Sequence, residues 1–171
     1  MNKLNHFEKF SFTANFDINI DELEHGYLKL QQQFHPDALL YKNQDEQDAA
    51  MINSININEA YKILKNPIQR AIYLLKLEGI NIDDDNCKIK PIHETLITVL
   101  ELKEKISESK DIQEIEEIKN YLEEEIAELM QLVKENFAHK NYDLAAQNLI
   151  KIKYFDKTIA DLKLKKQNIN S

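Results

Sequence analysis

The sequence predicts an all-α chain, with a helical hairpin unit at the N-terminus followed by a three-helix bundle. Three observations carry this expectation. Only 2 Gly and 3 Pro occur in 171 residues, too few to turn the many hairpins of a strand-built fold. Apolar residues instead recur every three or four positions through successive segments, the period of an amphipathic helix. Hydrophobic residues make up 43% of the chain, enough for a core, yet no apolar run approaches the ~18 residues of a membrane-spanning helix.

The elements follow in order. Phe7, Phe10 and Phe12 suggest a short apolar opening turn or helix. Asn19 is a helix cap, and Glu22 three residues on makes something close to a capping box. Leu23, Tyr27, Leu30 and Phe34 then draw one stripe, ended by Pro36, which pushes the residue before it out of the α region. Residues 41–48 read as a polar connection. Ala50, Ile57, Ala60, Tyr61 and Leu64 share one face of a second helix, with Met51 as core filling. Asn66-Pro67 opens a third, because proline suits the first helical position. Its stripe is Ile68, Ala71, Ile72 and Leu75, and Gly79 terminates it.

Residues 80–91 (INIDDDNCKIKP) break the periodicity and read as a connection. Beyond it Ile92, Val99, Leu102 and Ile106 form a buried stripe. Asp111 caps the next helix, with Glu114 in its first turn, and Ile118, Leu122, Ile126, Leu129, Val133 and Phe137 mark its length; Met130 reads as core filling. After a turn near His139 to Tyr142, the stripe Ala145, Leu149, Ile152, Ile159 and Leu162 precedes a polar tail. Short turns between helices make antiparallel neighbours. The organisation expected is 1–79, a connection 80–91, and 92–171.

Charge supports that pairing. Residues 94–136 hold 13 acidic and 5 basic side chains, and residues 137–171 hold 7 basic and 3 acidic. The last helix can therefore lie against acidic neighbours. Exposed pairs contribute only ~0.2–1 kcal/mol each, so they bias the arrangement and do not hold it together.

Composition excludes several function classes. With Gly26 and Gly79 alone, neither a phosphate-cradling loop nor a dinucleotide-binding turn can be built. One cysteine, Cys87, forms no disulfide framework or cysteine-rich zinc site, which suits a reducing compartment. A net charge of -8 has the wrong sign for neutralising nucleic-acid phosphates. The first ten residues lack an apolar segment and contain Glu8 and no Arg, so a bacterial cytoplasmic location is expected over a mitochondrial matrix reached by a presequence.

The specific signal is His35-Pro36-Asp37, at the end of the first helical stripe and before the second. By itself it is a helix stop followed by a loop. Its context is YLKLQQQFHPD, a polar loop, then NEAYKILKNPIQRAIYLLKLEG, with TLITVLELKE (95–104) downstream. Over roughly residues 5–165 this order of motifs resembles the J-domain co-chaperones, and within them the HscB family that serves iron–sulfur cluster assembly. The resemblance implies an N-terminal J-domain of about four helices and a C-terminal scaffold-binding bundle. It also implies two partners: an ATPase chaperone of the HscA/DnaK class, and the iron–sulfur cluster scaffold protein. On this reading His35, Pro36 and Asp37, with Lys29 on the preceding helix, meet the chaperone. Proline fixes the backbone and the carboxylate can pair with an arginine. ATP hydrolysis belongs to the partner, so no catalytic residue, cofactor, metal, nucleic acid or membrane is expected for this chain.

There are departures from the family pattern. J-domains usually carry several cations on the helix before the tripeptide, whereas this one offers Lys29, with Gln31, Gln32 and Gln33 where charge could sit, and Ala38 after Asp37. Docking should then depend weakly on salt, with contacts outside that helix gaining importance. Gly26 inside the helix costs ~0.5–1 kcal/mol relative to Ala. The N-terminal zinc-binding cysteine pairs of some eukaryotic relatives are absent.

A second site is expected on the helix after Pro91. Opposite its stripe it carries Leu96, Ile97 and Leu100 beside Glu101 and Glu104. A bundle helix needs one buried face, so a second apolar face rimmed by carboxylates is either a protein-binding patch or further core. The resemblance implies that these positions bind the scaffold and that Tyr154 is an aromatic of the same surface. Periodicity does not decide whether Tyr154 or Phe155 faces outward. Two other functions stay in view: a J-domain co-chaperone with a different client, and a helical-bundle metal enzyme. For the second, Glu22-x-x-His25 has di-iron spacing but no second copy on another helix. His93 and His139 read as solvated helix residues, Glu123-Glu124-Glu125 as a solvated face, and Cys87 as a bystander thiol.

Overall fold

A computed structural model describes residues 4–34 and 43–169, and every regular element among them is helical. The helices are α1 (Ile20–Gln33), α2 (Gln44–Lys65), α3 (Pro67–Leu77), α4 (His93–Glu108), α5 (Ile112–Ala138) and α6 (Tyr142–Ile169). The chain divides into two compact units, Met1–Leu74 and Leu75–Ser171.

The first unit opens with a 3-10 turn, Glu8–Phe10, beside the fully buried Phe7. Tyr73 anchors this segment, stacking on His6 at 4.2 Å and accepting the His6 main-chain N–H at 3.0 Å. Asn19 caps α1 by accepting from the main-chain N–H groups of Asp21 and Glu22. The return bond runs from the Asn19 amide to Glu22 Oε1 and leaves the cap backbone out, so the capping box is incomplete. A complete one stands at Asn43 and Glu46. It satisfies two otherwise orphaned N–H groups and starts α2 at Gln44, inside the stretch 41–48 that the sequence suggested as a connection.

α1 and α2 run antiparallel. Tyr27 stacks on Tyr61 at 3.9 Å, while Tyr27 Oη and Gln31 Nε2 both donate to Asn58 Oδ1, at 2.9 and 2.5 Å. α2 buries Ala50, Ile57, Ala60 and Leu64. Met51 is not core filling. It stands about 120° round the helix from Ile57 at 100° per residue, and it is 66% exposed. Asn66 caps α3 through the N–H groups of Ile68 and Gln69. Arg70, 7% exposed, donates from Nη1 to the Leu64 carbonyl at 2.5 Å and lies 5.2 Å from the Phe16 ring centre. It closes the orphaned carbonyl end of α2. Burial lowers its pKa, against the opposing charge of Asp17.

In the second unit Gly79, at φ 82°, terminates α3, as the Ile80 N–H returns to the Leu75 carbonyl at 2.8 Å. α4 buries Thr95, Val99 and Ile106. Ile92 falls outside that stripe: it is the N-cap residue and 52% exposed. Asp111 caps α5 by accepting the Gln113 N–H at 2.9 Å. α6 carries the bundle centre, with Leu149, Ile152, Phe155, Ile159 and Leu162 buried, and it continues to Ile169 through the expected polar tail. The tail stays helical because Lys165 donates to the Ser107 carbonyl and Lys166 pairs with Glu116 at 2.7 Å. Lys151–Glu125 and Lys166–Glu116 set α5 and α6 antiparallel, which is the basic-on-acidic pairing that the charge division suggested.

Candidate functional site

The tripeptide His35-Pro36-Asp37, with Ala38, lies outside the described residues. The helix that leads to it presents Lys29, exposed, together with exposed Gln32 and Gln33. Gln31 is committed inward: its amide and the Tyr27 hydroxyl share Asn58. That bridge fixes the last turn of α1 against α2, so the chain leaves Phe34 from a braced helix end. Periodicity does not single out Asn58, a carboxamide among the aliphatic residues of α2.

On α4 the two apolar faces differ in kind. Val99 and Ile106 are buried, whereas Ile97 is 43% and Leu100 67% exposed, with Leu96 half-buried and Glu101 and Glu104 exposed. Within the second unit Ile97 and Leu100 stand uncovered, on a face apart from the Val99 and Ile106 stripe. On α6 Phe155 is fully buried and Tyr154 is the partly exposed neighbour.

Two contacts give the register of α4 and α6. Lys103 pairs with Asp161 at 3.1 Å, and Lys165 donates to the Ser107 carbonyl at 2.9 Å. Both contacts join residues 58 apart, so the helices run parallel and Leu96 stands level with Tyr154. Leu96 and Lys103 also share a side of α4, seven residues being close to two turns. Leu96 therefore sits on the flank that faces α6.

Beside Tyr154 lies a cleft of about 490 Å³ between residues 82–91 and α6, walled by Ile82, Ile89, Pro91 and Ile150. Asp83 braces its wall, accepting from Lys153 and pairing with Lys76 at 3.1 Å. The Lys153 hydrogen bond, then that of Lys76, holds the Asp83 carboxyl below its ordinary value. Sequence periodicity does not reveal this cleft, because the irregular chain from 82 to 91 supplies half of it. Cys87, a half-buried free thiol, lies in the same wall. Among the described residues no three His, Cys, Asp or Glu side chains are grouped to hold a metal ion, and no helix is long and apolar enough to cross a membrane.

Comparison with known proteins matches residues 14–73 to the DnaJ domain and residues 93–163 to the HSCB C-terminal oligomerisation domain. A co-chaperone protein HscB homolog of Neisseria meningitidis is 35% identical over 156 residues, covering 89% of this chain and 93% of the relative. The human iron–sulfur cluster co-chaperone protein HscB is 30% identical over 161 residues, covering 94% of this chain and 68% of the relative. The crystal structure of the human co-chaperone superposes with a TM-score of 0.88 over 97% of this chain and 84% of that one. The chaperone HscB from Vibrio cholerae, 22% identical, shares the fold at a TM-score of 0.83, covering 97% of this chain and 99% of that one.

Proposed function

The chain belongs to the HscB family of iron–sulfur cluster co-chaperones, and from that premise we propose that it stimulates the ATPase of an HscA-type chaperone and delivers the iron–sulfur scaffold protein to it. The first unit supplies the stimulating element. His35, Pro36 and Asp37, with Lys29 behind them, meet the chaperone. The tripeptide shifts the ATPase between conformations because it binds one better than the other. Asp37 pairs with a guanidinium there, and ATP is bound and hydrolysed by the partner.

The second unit supplies the client site. Leu96, Ile97, Leu100 and Tyr154 form its apolar centre, and Glu101 and Glu104 its polar rim. The observation that carries this assignment is the exposure of Ile97 and Leu100 on the α4 face opposite the core. Aliphatic side chains left in water on a well-packed helix, next to carboxylates, have the composition of a binding patch.

The deciding experiment is titration of the chaperone ATPase with this protein, with and without scaffold. The expected outcome is stimulation by this protein alone and a further rise when scaffold is added. Stimulation with no scaffold effect, and no scaffold binding by calorimetry, would leave a J-domain co-chaperone with another client.

A further inference from the structure

We infer that the cleft beside Tyr154 continues the α4 patch, making one surface that takes an extended scaffold segment with an apolar middle and a carboxylate at the Lys157 end. The inference rests on the scaffold-binding reading above and extends it to residues that reading does not include. Ile150, Lys153, Tyr154 and Lys157 stand at i, i+3, i+4 and i+7 on one side of α6, and all four line the cleft. The parallel register sets Leu96 level with Tyr154, so the cleft and the patch meet at that ring.

The charges along this surface are ordered. In the cleft Asp83 is committed to Lys76 and Lys153, and Asp84 to the main-chain N–H and side-chain amide of Asn86. Lys90 donates to the Asp85 main-chain carbonyl at 2.9 Å. Lys157 is left exposed and has no ion-pair partner among the described residues. At the far end of the patch Glu101 and Glu104 are likewise exposed. The surface thus runs from a cation, through Tyr154, Leu96 and Leu100, to two carboxylates. A bound segment with its own carboxylate toward Lys157 and a cation toward Glu104 is matched at both ends. The reversed segment sets like charges together at both ends, so the surface selects direction as well as composition.

The test uses the full chain and the purified scaffold. Lys157→Glu should weaken scaffold binding by calorimetry at least tenfold, and Lys157→Gln by a smaller factor. Lys163→Glu, the same charge change on an exposed residue of α6 outside the cleft, should stay within twofold of wild type. Stimulation of the chaperone without scaffold should be unchanged in all three. Cys87 is the only cysteine of the chain and lines the cleft. Saturating scaffold should slow its alkylation by iodoacetamide at least fivefold, read by mass spectrometry of the Cys87 peptide.

If Leu100→Ala loses scaffold while Lys157→Glu binds within twofold of wild type and Cys87 reacts at the free rate, the cleft is overturned and the patch stands. If wild-type protein binds no scaffold, both fall together.

Discussion

Leu100→Ala separates an interface from a core on one side chain. The change removes three carbons beyond Cβ, worth ~2.4 kcal/mol where burial is complete, at ~0.8 kcal/mol per carbon. Leu100 is 67% exposed, so about a third of that is at stake, ~0.8 kcal/mol of stability. For a unit of this size that shifts the melting midpoint by about 3–6 °C. A buried anchor in a complex commonly costs 2 kcal/mol or more on truncation, which weakens Kd about thirtyfold or more. The stability loss is therefore the smaller effect and the binding loss the larger one. Differential scanning calorimetry of the variant and titration with scaffold read the two numbers independently. A Kd within threefold of wild type would refute the patch. A midpoint more than ~10 °C lower would show that the side chain is interior, because only a well-buried leucine costs that much.

The remaining predictions concern the other unit and the cleft wall. His35→Gln and Asp37→Asn should each abolish stimulation of the chaperone ATPase while the helical circular-dichroism spectrum and melting stay nearly unchanged; wild-type stimulation in both would sink the assignment. Chaperone affinity should fall only modestly between low and physiological salt, since Lys29 is the only basic residue on α1; a loss of several orders of magnitude would show that cations elsewhere dominate docking. Asp83→Asn should cost ~0.5–1 kcal/mol at pH 7, as expected of a partly exposed pair. The folded Asp83 carboxyl titrates below its ordinary 3.8, so its contribution is complete above that value and disappears as pH falls through the lower folded one. The gap between the two melts should thus narrow steadily as pH is lowered below 3.8, and a gap that does not narrow would assign the effect to something other than ionisation.

Much of the fold was legible because helices advertise themselves locally. Asn19, Asn66 and Asp111 cap where their side chains indicate, and the stripe of α6 is buried as its spacing requires. The misses are also local in cause. Asn43 and Glu46 form a complete capping box in a stretch whose polar composition suggested a loop. Met51 and Ile92 are apolar residues in water: identity alone assigned Met51 to the core, while Ile92 fits the spacing of the stripe but stands at the N-cap, before the first turn of α4. Arg70 was not singled out because a buried cation is rare. Its place depends on the Leu64 carbonyl and the Phe16 ring, both brought to it by the fold.

The apolar surface of the second unit was legible in part, and the boundary is physical. A helical period identifies Leu96, Ile97 and Leu100 as one face from a single segment of chain. It cannot place Tyr154 beside them, because that needs the axial register between two helices separated by a third. Here the register is marked by an ammonium on a carboxylate and another on a main-chain carbonyl, Lys103 to Asp161 and Lys165 to Ser107. Both are exposed contacts of the kind that contributes little to stability, at most ~1 kcal/mol for the ion pair. Buried residues from Val99 and Ile106 on α4 to Ile159 and Leu162 on α6 supply the cohesion. A slide of one turn, ~5.4 Å, would carry Leu96 away from Tyr154 and would also unseat Val99 and Ile106 from a close-packed core. The buried side chains therefore set the register, and the polar contacts at its edge fit the one in which Tyr154 of α6 stands level with the aliphatic face of α4.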